Sequence, residues 1–206
     1  LHDALPIYAF LAETWAKDTS KSVNEALAAQ IAVIGENMKI RRFEKVVAAD
    51  GFVESYIHGG GKIGILVEFK SNVYTAAVRE CAKNVAMQIA AMSPKYVRQS
   101  EISEEYIAKE KEILKEQAMN DPANANKPEA IIDKMLVGRL NKQMKEICLV
   151  DQAYVKDGDM TVAKYIESVA KAEGCELDIV KFVRFATGES TTLSIRRNKR
   201  ARCYCL

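Results

Sequence analysis

The stretch FVESYIHGGGKIGILVEFK, residues 52–70, reads as two strands joined through a run of glycine. Its first half, Phe52 to His58, is rich in aromatic and β-branched types. In its second half Ile63, Ile65, Val67 and Phe69 recur at period two, the pattern of a half-buried strand. Gly59-Gly60-Gly61 marks a tight turn between them, so the segment is predicted to fold as a hairpin.

Downstream of the hairpin the period changes. Val78, Cys81, Val85, Ile89 and Met92 fall at three- and four-residue steps across residues 74–92, while Ala77, Ala82, Ala86 and Ala90 permit close packing on a sheet. Pro94 ends that helix. Two charged helices are predicted next, over 103–119 and 128–147. Ser103 is an N-cap followed by Glu104 and Glu105, and Pro128 sits in the first turn with Glu129 beside it. The short linker 120–126 makes them an antiparallel hairpin that projects from the body with a solvent-exposed tip. A helix near 161–172 and a strand near 181–186 close the body. Upstream, residues 10–30 read as helical, with a break of phase at Asp18-Thr19-Ser20. Residues 38–47 look strand-like, with Arg41-Arg42 among Ile40, Phe43 and Val46. The fold class is therefore α+β: small antiparallel sheets packed by helices, with a projecting helical hairpin.

The 206 residues are 49% hydrophobic and 28% charged, a globular balance, and long enough for one large domain or two small ones. No run approaches the ~18 apolar residues of a membrane span. The formal charge of +2 conceals an asymmetry: Arg196, Arg197, Lys199, Arg200 and Arg202 crowd the last eleven positions. Without those five the 30 basic residues fall to 25 against 28 acidic ones, which argues against a general nucleic-acid binder. The five cysteines are scattered, form no CxxC pair, and suit a reducing compartment. Cys81 and Cys148 are expected to be small buried hydrophobes, and Cys203 and Cys205 lack nearby metal-ligating partners. The start, Leu1-His2-Asp3, has neither the basic region nor the cleavage site of a signal peptide.

Enzymatic readings find little support. His2 stands in no pattern, and His58 has no motif companions for a triad or a metal site. The run Gly59-Gly60-Gly61-Lys62-Ile63-Gly64 lacks the Ser/Thr of a phosphate loop and joins two strands instead of opening a helix. Two features exceed what stability requires. Ile34-Gly35-Glu36-Asn37-Met38 places a glycine break after a helix, and Tyr56-Ile57-His58 sets an aromatic and an imidazole at the rim of a glycine turn. Each also has a local reading, a helix C-cap at Gly35 and a hairpin-end histidine in water.

Six segments taken together resemble the elongation factor Ts family. They are IGENMKIRRF (34–43), SYIHGGGKIGILVE (55–68), AKNVAMQIAA (82–91), KPEAIIDKMLVGRLNK (127–142), KEICLVDQAYVKD (145–157) and FVRFATGE (182–189), in family order and spacing. The resemblance covers residues 31–189. It implies two core subdomains, each with a three-stranded antiparallel sheet, and a coiled-coil hairpin inserted in the second. On that basis residues 1–50 are expected to be a remnant of the first subdomain and 51–189 the second subdomain, including the hairpin 103–147. Residues 1–7 are expected to be non-native, and 190–206 an atypical basic tail.

The function implied is that of a translation elongation factor that binds elongation factor Tu and promotes exchange of GDP for GTP. This is not an enzyme making covalent changes, and it uses no cofactor and no metal. Ile34 matches a family residue that packs on the G domain of elongation factor Tu, His58 matches another that reaches that surface, and Gly35, Glu36 and Asn37 shape the approach of Ile34. Family members normally begin with a three-helix domain, two strands and a Thr-Asp-Phe-Val motif, none of which occurs here. The alternative is thus a module that docks on elongation factor Tu without releasing nucleotide. The expected setting is the bacterial cytoplasm or an organellar matrix, with a homodimer through the second subdomain as a further implication, and with neither membrane nor direct nucleic-acid contact.

Overall fold

In the computed structural model the described residues are 5–121, 124 and 128–189, the side chains of residues 5, 6, 129 and 130 excepted. They fall into two compact units, residues 5–45 and 46–189. The basic tail with Cys203 and Cys205, His2, and most of the linker 120–126 lie outside the described residues.

The first unit holds α1 (Leu5–Ala12) and α2 (Val23–Ile34). The single helix expected over residues 10–30 is thus two, and the cause is local. The Asp18 carboxylate accepts from the Ser20 amide at 3.1 Å and the Ser20 hydroxyl at 2.6 Å, and pairs with Lys21 at 2.9 Å, folding the chain back on itself. The Trp15 amide then donates to the Lys21 carbonyl at 2.9 Å. Helix α2 restarts on a capping box: the Glu25 amide donates to Ser22 Oγ at 3.2 Å, and the Ser22 amide to the Glu25 carboxylate at 2.7 Å. Residues 38–47 are not the strand their composition suggests. A strand is defined by its ladder, and neither of the sheets among the described residues includes this segment. Phe43 instead packs against Phe10 of α1, ring centroids 5.0 Å apart.

The second unit is built on a three-stranded antiparallel sheet, β1 (Gly51–His58), β2 (Ile63–Ser71) and, last in sequence, β5 (Leu177–Ala186), in spatial order β1-β2-β5. The register Gly51↔Lys70 through His58↔Ile63 confirms the predicted hairpin. Its turn runs through Gly59, Gly60 and Gly61 at φ +63°, +67° and +95°, a left-handed path that a side chain would strain. Strand β5 begins four residues earlier than expected, because a register shift at Glu68/Phe69 interrupts the alternation that would have revealed its first half.

Helix α3 (Ala76–Met92) covers the sheet with Val78, Cys81, Val85 and Ile89 turned inward, and α6 (Val162–Glu173) packs beside it. Val67, Phe69, Val85, Ile89, Leu149, Val162 and Ile179 are buried in one core; fully burying such a side chain is worth ~1.5–3 kcal/mol. Just ahead of α6 in the chain lies a small hairpin that the sequence did not announce, β3 (Ala153–Tyr154) with β4 (Asp157–Thr161).

Helices α4 (Glu104–Met119) and α5 (Glu129–Ile147) pack on each other as the expected helical hairpin. Ser103 caps α4 through a 3.2 Å bond from the Tyr106 amide, and Pro128 occupies the N-cap position of α5, one residue ahead of its first turn. Apolar residues Tyr96, Ile102, Ile107, Leu140, Met144 and Ile147 fill the base of the hairpin. Partway along, Gln143 donates to Glu110 across the seam at 2.7 Å, a polar pair that fixes the register of one helix against the other. The tip is not uniformly exposed: Asn124 is buried, and its amide donates to the Ala118 carbonyl at the end of α4 at 3.0 Å.

Candidate partner-binding residues

Ile34, Gly35, Glu36 and Asn37 are contiguous at the C-terminal end of α2 in the first unit; His58 ends β1 in the second. Each group is positioned by its own unit.

Ile34 is the last residue of α2 and is 54% exposed. The helix stops because Gly35 turns into the left-handed region at φ +79°, with its amide donating to the Ile31 carbonyl at 2.9 Å. A Cβ on Gly35 would meet nothing within 4 Å, so glycine is needed there for its conformation and not for room. Glu36 and Asn37 follow, both exposed. The capping box at one end of α2 and the glycine cap at the other fix a helix whose final turn holds an apolar side chain in water. Val33 beside it is 81% exposed, a neighbour that sequence reasoning passed over and that widens the apolar surface.

His58 is positioned by the sheet. Tyr56, two residues back on the same face of β1, packs against the core, and its hydroxyl lies 3.1 Å from Nδ1 of the exposed imidazole. With Nδ1 engaged, Nε2 is the ring nitrogen left for an incoming group. Ile57, on the opposite face, is 72% exposed. Its signal was present in the sequence: alternation along the strand puts Ile57 on the face opposite Tyr56.

An exposed isoleucine and an exposed imidazole are groups suited to non-covalent contact. The imidazole of His58 pairs with the Tyr56 hydroxyl, a neutral group that does not make it a catalytic pair. Burial pushes the Cys81 thiol up to about 12 and the Cys148 thiol up to about 11, so both stay protonated at neutral pH and neither is a nucleophile. Among the described residues no cluster of three His, Cys, Asp or Glu side chains could hold a metal ion, and no helix is long and apolar enough to cross a membrane.

Comparison with known proteins bears on the same segments. The profile of the family described as elongation factor TS matches residues 6–189. Elongation factor Ts of Clostridium perfringens (strain ATCC 13124) is 48% identical over 172 residues, which is 84% of this chain and 55% of that protein. Elongation factor Ts of Clostridioides difficile (strain 630) is 49% identical over 168 residues, 82% of this chain and 54% of that protein. The corresponding protein of Clostridium kluyveri (strain NBRC 12016) is 44% identical over 177 residues, 86% and 56%. The chain spans about half the length of the curated relatives it matches. With a match running from the first helix through the last strand of the sheet, the chain belongs to the elongation factor Ts family.

Proposed function

We propose that this chain binds elongation factor Tu and promotes the exchange of GDP for GTP on it. The observation that carries the reading is Ile34, an apolar side chain held in solvent at the end of a doubly capped helix, in a member of the elongation factor Ts family. An exposed apolar residue on a rigid element suits an interface anchor, and burying one on a partner can contribute ~2 kcal/mol or more. His58, oriented through Tyr56, is the second anchor.

Exchange requires that the factor bind nucleotide-free elongation factor Tu more tightly than the GDP-bound form. Linkage then makes the effect reciprocal: GDP weakens the factor's hold by the same ratio by which the factor weakens GDP, and a coupling of ~3 kcal/mol is ~150-fold. Contact from Ile34 and His58 would hold helices of the G domain where the phosphate and magnesium contacts no longer close. No bond is broken and no cofactor is used. In this reading residues 51–189 are the second core subdomain carrying the helical hairpin, residues 1–50 belong to the first, and the bacterial cytoplasm is the setting.

A second reading has its own observation. Ile34 and His58 are exposed and would seat on a partner whether or not nucleotide leaves, so docking without nucleotide release is the alternative. Release of fluorescent GDP from bacterial elongation factor Tu separates the two. Faster release in the presence of the chain supports exchange, whereas co-purification at an unchanged release rate supports docking alone.

A further inference from the structure

The base of the helical hairpin is joined to the core by Arg98, whose Nη2 donates to Asp178 Oδ1 and to the Ile179 carbonyl of β5 at 2.8 Å each, and by two further links. One is apolar and non-directional: Val97, which precedes α4, and Leu149, which follows α5, are buried in the same cluster as α3 and the sheet. The other runs through two buried glutamines. Gln88, in the fourth turn of α3, is fully buried and uses both ends of its amide. Its Nε2 donates to Gln152 Oε1 at 3.2 Å and to the Ala153 carbonyl at 3.0 Å, and its Oε1 accepts from the Val155 amide at 2.8 Å. Gln152, also buried, carries the chain of bonds onward, its Nε2 donating to the Glu146 carbonyl in the last turn of α5 at 2.7 Å. Its main-chain carbonyl accepts from the Val162 amide at 3.0 Å, at the start of α6.

We propose that Gln88 and Gln152 form a clamp that sets the direction of the α4/α5 hairpin on the sheet-and-helix core, and are thereby positioning residues for partner docking; the docking half rests on the elongation factor Tu reading above. Packing alone does not call for glutamine here, since leucine or methionine of similar size fills such a site without buried polar groups to satisfy. What the amides add is angle. Hydrogen bonds in a dry interior are directional and leave an unpaired group when the geometry shifts, so they select one arrangement where apolar contact permits several. Among the described residues this path of bonds reaches the hairpin through the Glu146 carbonyl, so Gln152 is the link that can be cut while Gln88 keeps its bonds to Ala153 and Val155.

The test reads geometry within the full chain. Cys175→Ser, Cys203→Ser and Cys205→Ser remove the thiols other than the buried Cys81 and Cys148, and spin labels are attached through Lys83→Cys in α3 and Lys115→Cys in α4, both exposed positions. The parent should give one narrow distance distribution. Gln152→Leu should at least double its width while far-UV circular dichroism is retained, and Gln88→Leu should do the same and also speed exchange of the Val155 amide. The double variant should be no broader than either single one, as expected of groups acting as a unit. A folded Gln152→Leu chain with the parent's distribution would overturn the clamp. Should both variants unfold, hydrogen exchange on the parent decides. The amides of Val155, Leu149 and Val150 should open as one unit, with rates within about threefold of each other. Rates a hundredfold apart would overturn it. With elongation factor Tu, Gln152→Leu should bind about tenfold more weakly, while Ile34→Ala weakens binding with distances unchanged. Broadened distances at unaltered affinity would overturn the docking half. A parent chain that fails to bind elongation factor Tu would refute the partner reading and leave the distance result standing.

Discussion

The hydroxyl of Tyr56 lies 3.1 Å from Nδ1 of His58, and the two ring centroids stand 5.9 Å apart on one face of β1. A side chain anchored against the core thus orients one that is exposed, at the rim of the glycine turn. A free imidazole at a strand end would sample several rotamers and lose that freedom on binding; the tyrosine reduces the loss in advance.

Tyr56→Phe keeps the packed ring and removes only the hydroxyl. The expected outcome is a melting temperature within about 2 °C of the parent, the scale of a small surface change. Affinity for elongation factor Tu should fall severalfold by calorimetry, with His58→Ala falling tenfold or more, or about 1.4 kcal/mol. Parent-like binding by both variants would remove His58 from the interface.

Ile34→Ala should leave thermal stability nearly unchanged, because the side chain is more than half exposed, yet slow GDP release from elongation factor Tu at least tenfold. Gly35→Ala acts differently. It meets no clash but forces alanine to φ +79°, which should cost ~1 kcal/mol, and Gly35→Asn should cost less because asparagine tolerates that region. Equal loss of stability and exchange in Ile34→Ala would make Ile34 a packing residue only.

The start of α2 should be acid-sensitive. The Ser20 hydroxyl and Lys21 hold the Asp18 carboxyl down at about 2, against an ordinary value of 3.8, and the Ser22 amide and hydroxyl lower Glu25. Both groups are depressed in the folded state, so their support is present above the unfolded value and is lost as the pH falls through the folded one. Carboxyl NMR titrations should show the Asp18 turn weakening between about pH 4 and pH 2 while β1 and β2 persist. Ser22→Ala should destabilise the helix by ~1 kcal/mol and return Glu25 toward the ordinary carboxylate range. A Glu25 titration unmoved by that substitution would contradict the capping box.

Residues 35–50 carry neither helix nor strand, and they contain Lys39, Arg41, Arg42 and Lys45. Limited trypsin digestion should therefore cut first within this segment and leave a folded piece holding the sheet, α3 and the helical hairpin, read by mass spectrometry. First cuts inside α3 or β2 would contradict the independence of the second unit.

The elements that sequence reasoning located are those written in local pattern. The hairpin of β1 and β2 rests on period-two apolar residues around three glycines, and α3 on its three- and four-residue spacing. The misses have local or long-range causes that composition hides. The capping box Ser22-Val23-Asn24-Glu25 was legible and would have divided residues 10–30 into two helices. The strand-like appearance of 38–47 could not reveal that neither sheet among the described residues includes it, since pairing is non-local. Strands β3 and β4 include Asp157-Gly158-Asp159, too polar to suggest a strand, and are held in place by Gln88, more than sixty residues earlier. The candidate site was named through family resemblance. Spacing alone could not distinguish an interface residue at Ile34 from the end of an ordinary helix, because exposure is a property of the folded chain.

Coupling between binding of this chain and release of nucleotide from elongation factor Tu is read out by one ratio. Calorimetry should measure its affinity for elongation factor Tu in nucleotide-free and in GDP-saturated form. Exchange predicts tighter binding to the nucleotide-free form by ten- to a hundredfold or more, and an equal weakening of GDP by the chain, as linkage requires. Equal affinity for the two forms would mean that the chain docks without exchanging nucleotide.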